Sequence, residues 1–173
     1  MHPLSQFIYC PKCGSSYFVE NDFKSNKCEK CGFVYYFNPS SSTVALIVNE
    51  NDEILVATRA FDPAKGTLDL PGGFVDMNET GEESIAREVK EETNLDVKEV
   101  KYMFSTPNRY IYSGFEVHTL DLIYSCRVDD ISNLSAADDV SELQFIKISE
   151  LKPELFGLIS IKEVIKKIQK MKI

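Results

Sequence analysis

One stretch decides the fold of this 173-residue chain: residues 73–95, GFVDMNETGEESIAREVKEETNL. Thr80 followed by Glu83 is the signature of a capping box, which predicts that a helix begins just beyond Thr80. Asn94 tolerates the left-handed conformation that follows many helices, so the helix is expected to cover about residues 81–93. The stretch therefore predicts a loop, a helix and a sharp helix end.

Three carboxylates share one face of this predicted helix. At about 100° per residue, Glu88, Glu91 and Glu92 fall within an arc of roughly 100°. Like charges at this spacing destabilise an isolated helix, and a divalent cation would compensate them. Oxygen ligands favour Mg²⁺, Mn²⁺ or Ca²⁺ over Zn²⁺. A solvated acidic face, to which Lys90 and the Arg87–Glu91 pair would belong, explains the same charges equally well.

The same stretch resembles the Nudix box, G-x5-E-x7-R-E-U-x-E-E-x-G-U with U apolar. The matching residues are Gly73, Glu79, Arg87, Glu88, Val89, Glu91, Glu92 and Leu95. Six of the seven fixed glycine or charged positions agree, and Asn94 replaces the remaining glycine. Because asparagine also adopts the left-handed conformation, the helix end is expected to survive. The resemblance implies a Nudix fold, an α/β (α+β) domain with a mixed β-sheet between helices.

The resemblance also implies an enzyme that hydrolyses a pyrophosphate bond in a nucleoside diphosphate linked to another moiety, with Mg²⁺ or Mn²⁺ as its cofactor. Glu88, Glu91 and Glu92 would then be metal ligands. The backbone carbonyl of Gly72 would be a further ligand. Metal ions of this kind neutralise charge on the diphosphate and lower the pKa of a bound water that attacks phosphorus.

Two further roles follow from the resemblance. Glu79 and Arg87 would hold the loop against the helix, and Glu79 could reach the metal through a water. Members of the family differ in the general base, which would be either a box glutamate, Glu88 or Glu92, or a carboxylate from a later loop. The candidates of the second kind are Asp138, Asp139 and Glu142, with Asp139 first because it precedes a predicted strand.

Four of the five cysteines form two C-x-x-C pairs near the start of the chain. They are Cys10, Cys13, Cys28 and Cys31, with 14 residues between the pairs and a glycine after each. This spacing predicts a tetrahedral Zn²⁺ site on two tight turns, and two disulfides are the alternative. We therefore expect a zinc ribbon over residues 1–37 and the α/β domain over residues 38–173. Cys126 lies alone in an apolar strand pattern and is expected to be a buried structural thiol.

A four-cysteine ribbon ahead of such a domain is similar to the NADH pyrophosphatases. Those enzymes carry S-Q-P-W-P-F-P-x-S after the box, whereas this chain has STPNRYIYSG over residues 105–114 and no tryptophan. The substrate therefore stays open among NADH, ADP-ribose, dinucleotides, sugar nucleotides and capped RNA. We interpret residues 107–114 as a substrate loop in which Tyr110 and Tyr112 stack on a base and Arg109 binds phosphate; the alternative is a β-turn whose tyrosines pack on the ribbon or the core. Arg59 is a further phosphate candidate, or else a solvated strand end.

The pattern of apolar residues elsewhere predicts five strands and a second helix. The strands are Thr43–Val48, Ile54–Thr58, Val100–Ser105, Glu116–Arg127 and Leu143–Ile148. Asn51 and Asp52 supply a hairpin turn between the first two. Ser160 and Glu163 form a second capping box, which predicts an amphipathic helix. Its apolar positions are Ile161, Val164, Ile165 and Ile168.

The net charge and the apolar content of the chain restrict the kinds of binding partner that are expected. With 19 basic and 27 acidic residues the net charge is -8, which disfavours broad attachment to nucleic acid or an anionic membrane. No stretch approaches the roughly 20 apolar residues of a membrane span and no secretory signal is visible, so a cytoplasmic protein with a small-molecule nucleotide substrate is expected. The oligomeric state stays open between a monomer and a homodimer, and dimers are common in the family that the chain resembles.

Two other functions rank below the enzyme. A catalytically silent domain could bind a nucleotide and regulate a partner, but its metal carboxylates should then be damaged, and all three are intact. The ribbon could bind nucleic acid or protein through lysines such as Lys12 and Lys24. Nearby acidic residues offset these lysines and leave no basic stripe.

Overall fold

The computed structural model describes residues 2–171, so residues 1, 172 and 173 of the two expected domains lie outside the described part. Its strands are β1 (Phe18–Asp22), β2 (Ser25–Cys28), β3 (Val34–Tyr36), β4 (Ser40–Leu46), β5 (Glu53–Arg59), β6 (Leu68–Asp69), β7 (Val97–Tyr112), β8 (Phe115–Val128) and β9 (Val140–Lys147). Its α-helices are α1 (Gly81–Thr93) and α2 (Ile159–Ile168). The strands form three sheets, in the orders β1-β2-β3, β4-β8-β7 and β6-β5-β9. Neither helix is long and apolar enough to cross a membrane.

Alternate residues of β4 face opposite sides of the sheets, as the two-residue period of a strand requires. Val44 and Leu46 pack in one core with the apolar face of α2, whereas Ala45 packs in a second core with Ile85 and Val89 of α1. The strand β4 pairs in parallel with β8, and the other strand pairs are antiparallel. The predicted mixed β-structure between helices is therefore confirmed.

The helix α1 begins and ends where the sequence predicts. The hydroxyl of Thr80 accepts a hydrogen bond from the backbone N–H of Glu83 at 3.2 Å, and the Glu83 carboxylate accepts one from the N–H of Thr80 at 2.8 Å. Asn94 has a φ of 59°, which is the left-handed conformation expected at this position. The replacement of glycine by asparagine therefore leaves the helix end intact.

The prediction of a second capping box, at the start of α2, is wrong. The helix α2 begins at Ile159 with Leu158 at its N-cap and without a side-chain cap, and Glu163 instead accepts a hydrogen bond from Lys166 at 2.7 Å. Ser160 is buried, and its hydroxyl has no hydrogen-bond partner within residues 2–171. A cap contributes about 1 kcal/mol, whereas each buried aliphatic side chain contributes about 1.5–3 kcal/mol. Burial of the four predicted apolar positions, which is observed, therefore sets the position of α2.

The loop conformation predicted for the segment after the box is also wrong, because β7 continues through it as far as Tyr112. Ser113 and Gly114 have φ values of 50° and 74°, and Tyr112 pairs with Phe115. Two consecutive positive φ values are typical of a two-residue hairpin turn. Tyr110, Ile111 and Tyr112 are aromatic or β-branched residues, which favour a strand. The segment therefore forms the tip of a long β7–β8 hairpin.

The N-terminal segment packs on this hairpin tip. The ring of Phe115 lies 5.7 Å from the ring of Phe7 and 5.9 Å from that of Phe37. The side-chain amide of Gln6 donates a hydrogen bond to the carbonyl of Gly114 at 3.1 Å. The three-stranded β1-β2-β3 unit is thereby held against the strands that follow it.

Candidate active site

The loop before α1 is bonded to β4. The N–H of Thr43 donates to the carbonyl of Gly73 at 2.8 Å, and the N–H of Ala45 donates to that of Pro71 at 2.8 Å. Gly72 has a φ of 148°, and a Cβ at this position would lie 2.0 Å from the carbonyl oxygen of Thr43. The loop lies so close to the strand that only glycine fits at residue 72.

Arg87 connects this loop to α1. Its Nε and Nη2 donate to the two carboxylate oxygens of Glu79 at 2.8 and 2.9 Å, and Nη2 also donates to the carbonyl of Phe74 at 3.0 Å. Its Nη1 donates to Glu88 at 2.8 Å and to Glu91 at 3.1 Å. The hydrogen bonds from Arg87 lower the pKa of Glu79 to about 2. The pairing of Glu79 with Arg87 expected from the box is present.

Glu92 is the buried carboxylate of the box. Its side chain accepts a hydrogen bond from the N–H of Gly72 at 2.9 Å, and only 6% of the residue is exposed. Burial raises the pKa of Glu92 to about 8, and the charges of Glu88, Asp69 and Asp139 also raise it, against the opposing effect of the Gly72 hydrogen bond. A buried carboxyl group surrounded by other carboxylates needs either a proton or a cation.

The other two box carboxylates lie nearer to solvent. The Glu88 side chain is 12% exposed and that of Glu91 is 47% exposed. Burial raises the pKa of Glu88, and the charges of Glu91 and Asp138 act in the same direction, against the hydrogen bond from Arg87. The helical arc thus places the three glutamates on one stripe, but with Glu91 at its solvent edge.

A cleft of about 130 Å³ opens beside these carboxylates. Of the residues predicted from the sequence, it is lined by Arg59, Gly72, Tyr110 and Asp139. The guanidinium of Arg59 is already engaged, because Nη1 donates to Asp69 at 2.6 Å and Nε donates to the carbonyl of Pro63 at 2.7 Å. The structure therefore places Arg59 at the cleft with its charge partly offset by Asp69.

The structure does not bring Arg109 and Tyr112 to this cleft. Successive residues of a strand face opposite sides, so Arg109 lies on the other face of β7 from Tyr110. Tyr112 is exposed at the hairpin tip beside Phe115. Their contact with substrate remains a prediction from the sequence.

The three alternative candidates for the general base, Asp138, Asp139 and Glu142, also differ in their position relative to the cleft. Asp139 lines the cleft, whereas Asp138 acts on Glu88 through its charge. Glu142 is exposed on β9 and is not among the residues that line the cleft.

Sequence reasoning missed several buried polar residues that line the cleft, among them Asp69, Asn108, Thr119 and Asp121. They lie on β6, β7 and β8, and sheet pairing brings them together. The signal that could have found Asp121 is an acid inside the apolar run Thr-Leu-Asp-Leu-Ile. A charged residue in a buried strand is rare without a partner or a function.

The four cysteines form a second potential site. Their sulfur atoms all lie within 4.8 Å of one another, with Cys10 and Cys31 separated by 3.8 Å and Cys13 and Cys28 by 3.7 Å. Four sulfurs at about 2.3 Å from a tetrahedral zinc would be about 3.8 Å apart, whereas a disulfide requires about 2.05 Å. The arrangement is that of a four-thiolate metal site.

The comparisons with known proteins agree with this geometry. The NUDIX domain family model matches residues 38–167. The chain belongs to the Nudix family. An ADP-ribose pyrophosphatase of Methanocaldococcus jannaschii is 35% identical to this Nudix protein over 118 residues, which cover 67% of this chain and 66% of that one. An NAD-capped RNA hydrolase NudC of Vibrio atlanticus is 28% identical over 144 residues, covering 82% of this chain and 53% of that one.

This Nudix protein thus spans somewhat under two thirds of the first of these relatives and about half of the second. A crystal structure of a NUDIX hydrolase from Nitrosomonas europaea superposes with a TM-score of 0.71 at 21% identity, covering 94% of this chain and 90% of that one. At such low identity the likeness shows a shared fold.

Gly73→Ala is expected to lower kcat/KM of this Nudix protein by about 10- to 100-fold with little loss of thermal stability. The added Cβ would lie 2.5 Å from the carboxylate of Glu88, a flexible side-chain end that can move away. Gly72→Ala is the matched contrast, because its Cβ would meet the backbone of Thr43 at 2.0 Å and should lower the melting temperature by several degrees. Kinetics and thermal unfolding of both variants test this, and full turnover in Gly73→Ala would contradict it.

Proposed function

We propose that this protein hydrolyses a pyrophosphate bond in a nucleoside diphosphate linked to another moiety, with Mg²⁺ or Mn²⁺ as its cofactor. The observation that carries the proposal is the buried Glu92 carboxyl, which lies among other carboxylates beside the cleft. The relatives named for ADP-ribose and NAD-capped RNA support the same reaction class. The intact box carboxylates argue against a catalytically silent nucleotide-binding regulator.

The donors of this site fit a hard divalent cation. Glu88 and Glu92 supply two carboxylates whose charges act on each other, while the nearby guanidinium of Arg87 is shared among several acids. The remaining negative charge suits Mg²⁺ or Mn²⁺, which prefer oxygen ligands. Glu91 and the carbonyl of Gly72 would complete the protein ligands. Such an ion, when bound, neutralises charge on the diphosphate and makes a bound water more acidic.

The other residues of the site position these ligands and accept a proton. Glu79 and Arg87 hold the loop against α1, and the Gly72 N–H orients the Glu92 carboxylate. In the proposed reaction a carboxylate takes the proton of the attacking water. Among the later carboxylates we favour Asp139 for this role, because it lines the cleft and its charge acts on Glu92.

For the N-terminal segment we propose a structural zinc ribbon over residues 1–37, followed by the catalytic domain over residues 38–173. Its support is the sulfur geometry and the packing of Phe7 and Phe37 on the hairpin tip. We also propose that the protein acts in the cytoplasm and forms a homodimer, which sedimentation analysis would test.

A capped RNA is the second candidate substrate. Aromatic side chains on the ribbon, such as Tyr17 and Phe23, are well exposed, and the ammonium of Lys24 lies 5.7 Å from the ring of Phe23. Exposed aromatics beside lysines can stack on unpaired bases. RNA binding that weakens steeply between two salt concentrations would favour this candidate, and absent binding would remove it.

We expect metal-dependent release of phosphate, through a coupled phosphatase, from one or more members of a substrate panel. The panel contains NADH, ADP-ribose, dinucleotides, sugar nucleotides, a capped RNA and nucleoside triphosphates, each with Mg²⁺ or Mn²⁺, and the triphosphates are assayed with inorganic pyrophosphatase as the coupling enzyme. Preferential cleavage of a diphosphate compound would establish the activity. Silence of the whole panel with both metals would overturn the proposal.

A further inference from the structure

The C-terminal segment carries a charge opposite to that of the rest of the chain. Residues 158–173 contain five lysines and one glutamate, whereas residues 1–157 contain 14 basic and 26 acidic residues. Four of these lysines lie in the described part of the chain: Lys162, Lys166, Lys167 and Lys170. Lysines that cluster along one helix are typical of a surface that binds nucleic acid. The segment therefore offers a local attraction to anions that the net charge of -8 does not.

Three of these lysines form a row that starts at the cleft. Leu158 lines the cleft, and its carbonyl accepts a hydrogen bond from the N–H of Lys162, one helical turn further along, at 3.1 Å. Lys166 and Lys170 follow at intervals of four residues, which places them on the same face of the helix. At 1.5 Å per residue, successive lysines of this row are about 6 Å apart along the helix axis. The lysine row, Lys162, Lys166 and Lys170, therefore leads away from the cleft along α2.

Helix stability explains only part of this row. The helix macrodipole favours lysines in the last turn, which accounts for Lys166 and Lys167, and Lys166 is also paired with Glu163 at 2.7 Å. Lys162 lies near the start of α2, where the macrodipole does not favour a cation. Within residues 2–171, neither Lys162 nor Lys170 forms an ion pair. The charges of these two lysines are therefore available to an anion from outside the chain.

The row fits an extended polyanion better than a membrane surface. The four apolar positions predicted for α2 are buried in the core, so the helix has no continuous apolar face to insert into a bilayer. Because the row begins at the cleft beside the box, an anion that follows the row is continuous with a substrate in the cleft. Single-stranded RNA carries a negative charge at every phosphate, whereas a small compound carries its charges on the diphosphate that the box would hold. The position of the row therefore favours an RNA strand.

We propose that the lysine row binds the phosphate backbone of an RNA strand whose 5′ end is joined to a nucleoside through the diphosphate that is cleaved. This inference rests on the proposed hydrolysis and favours capped RNA among its substrates. The lysines contact phosphates and not bases, so the strand is bound without sequence preference and more weakly as the salt concentration rises. The row adds affinity for the strand and takes no part in the reaction at the diphosphate.

The first test compares NAD with a short NAD-capped single-stranded RNA, which share the same scissile bond. The Lys162→Gln/Lys170→Gln protein should lose about tenfold in kcat/KM for the capped RNA at low salt and keep its kcat/KM for NAD. The matched control is Lys90→Gln/Lys98→Gln, which removes two exposed lysines from α1 and β7 and should change neither value. An equal loss on NAD and capped RNA in the α2 variant, or no loss on either, would overturn the inference.

Binding separates this inference from the proposed reaction. A fluorescent single-stranded RNA without a cap is titrated with the protein at several salt concentrations. The slope of log affinity against log salt concentration should be smaller in magnitude by about 1.4 in the Lys162→Gln/Lys170→Gln protein, about 0.7 for each lost phosphate contact, and unchanged in the control. Equal slopes in all three proteins, or no binding of RNA, would overturn the lysine row even if small diphosphates are cleaved. Silence of the substrate panel with the slope change present would overturn the hydrolysis alone.

Discussion

Glu92→Gln is expected to reduce turnover by roughly 10²- to 10³-fold or more while the domain stays folded. Glutamine keeps the shape of the side chain and can still accept the N–H of Gly72, which lies 2.9 Å from the carboxylate. It brings no negative charge to a divalent cation, so the ion and the diphosphate lose a ligand charge. Steady-state kinetics with Mg²⁺ measure the effect, and retained turnover would contradict the assignment of Glu92.

The same substitution should increase stability in the absence of added Mg²⁺ and Mn²⁺. Burial raises the pKa of Glu92 from 4.5 to about 8. Between these values the folded protein retains a proton that the unfolded chain releases, so stability falls as the pH rises from about 4.5 to 8. Glutamine removes this loss, which is on the order of a few kcal/mol at pH 8.

Urea unfolding at pH 5 and pH 8 tests the sign of this effect. The advantage of Glu92→Gln over the unmodified protein should be small at pH 5 and larger at pH 8. The exposed Glu99→Gln serves as the control and should show no such growth. An advantage of equal size at both pH values would contradict a buried proton on Glu92.

The two capping-box patterns of this chain show when local sequence is sufficient to predict where a helix begins and when it is not. Thr80 is exposed before α1, and its capping box forms as predicted. Ser160 carries the same pattern with Glu163 but lies on the buried face of α2. Because burial of that face outweighs one cap, the chain places Ser160 inside the helix. A local motif therefore predicts structure only where burial does not compete with it.

The candidate site likewise contains residues that one local stretch identifies and residues that only strand pairing brings together. Glu79, Arg87 and Glu92 lie on one loop and helix, so the resemblance of this single stretch to the Nudix box was enough to associate them. Asp69 contacts Arg59 only because β6 pairs antiparallel with β5. The pairing of β7 with β8 likewise brings both Asn108 and Asp121 to the cleft. Register between distant strands is set by packing and has no local signal.

Cys28→Ser is expected to release zinc from the ribbon and unfold it. The apolar core of the ribbon consists of Cys10, Phe18 and Cys28 with Phe33 packed against them. A core of this size does not stabilise a fold by itself, whereas structural zinc contributes about 10–16 kcal/mol of apparent binding free energy. Serine removes one of four thiolates, so most of that contribution is lost.

Zinc content per chain, measured by atomic absorption, tests this expectation together with the NMR signals of the ribbon. The unmodified protein should hold one zinc and Cys28→Ser almost none. Cys126→Ser is the matched control and should keep its zinc, because Cys126 is buried in the core that contains α1. Because Phe7 and Phe37 pack on Phe115, loss of the ribbon should also loosen the hairpin tip and weaken substrate binding. A Cys28→Ser protein that keeps both its zinc and its ordered ribbon would contradict the four-thiolate site.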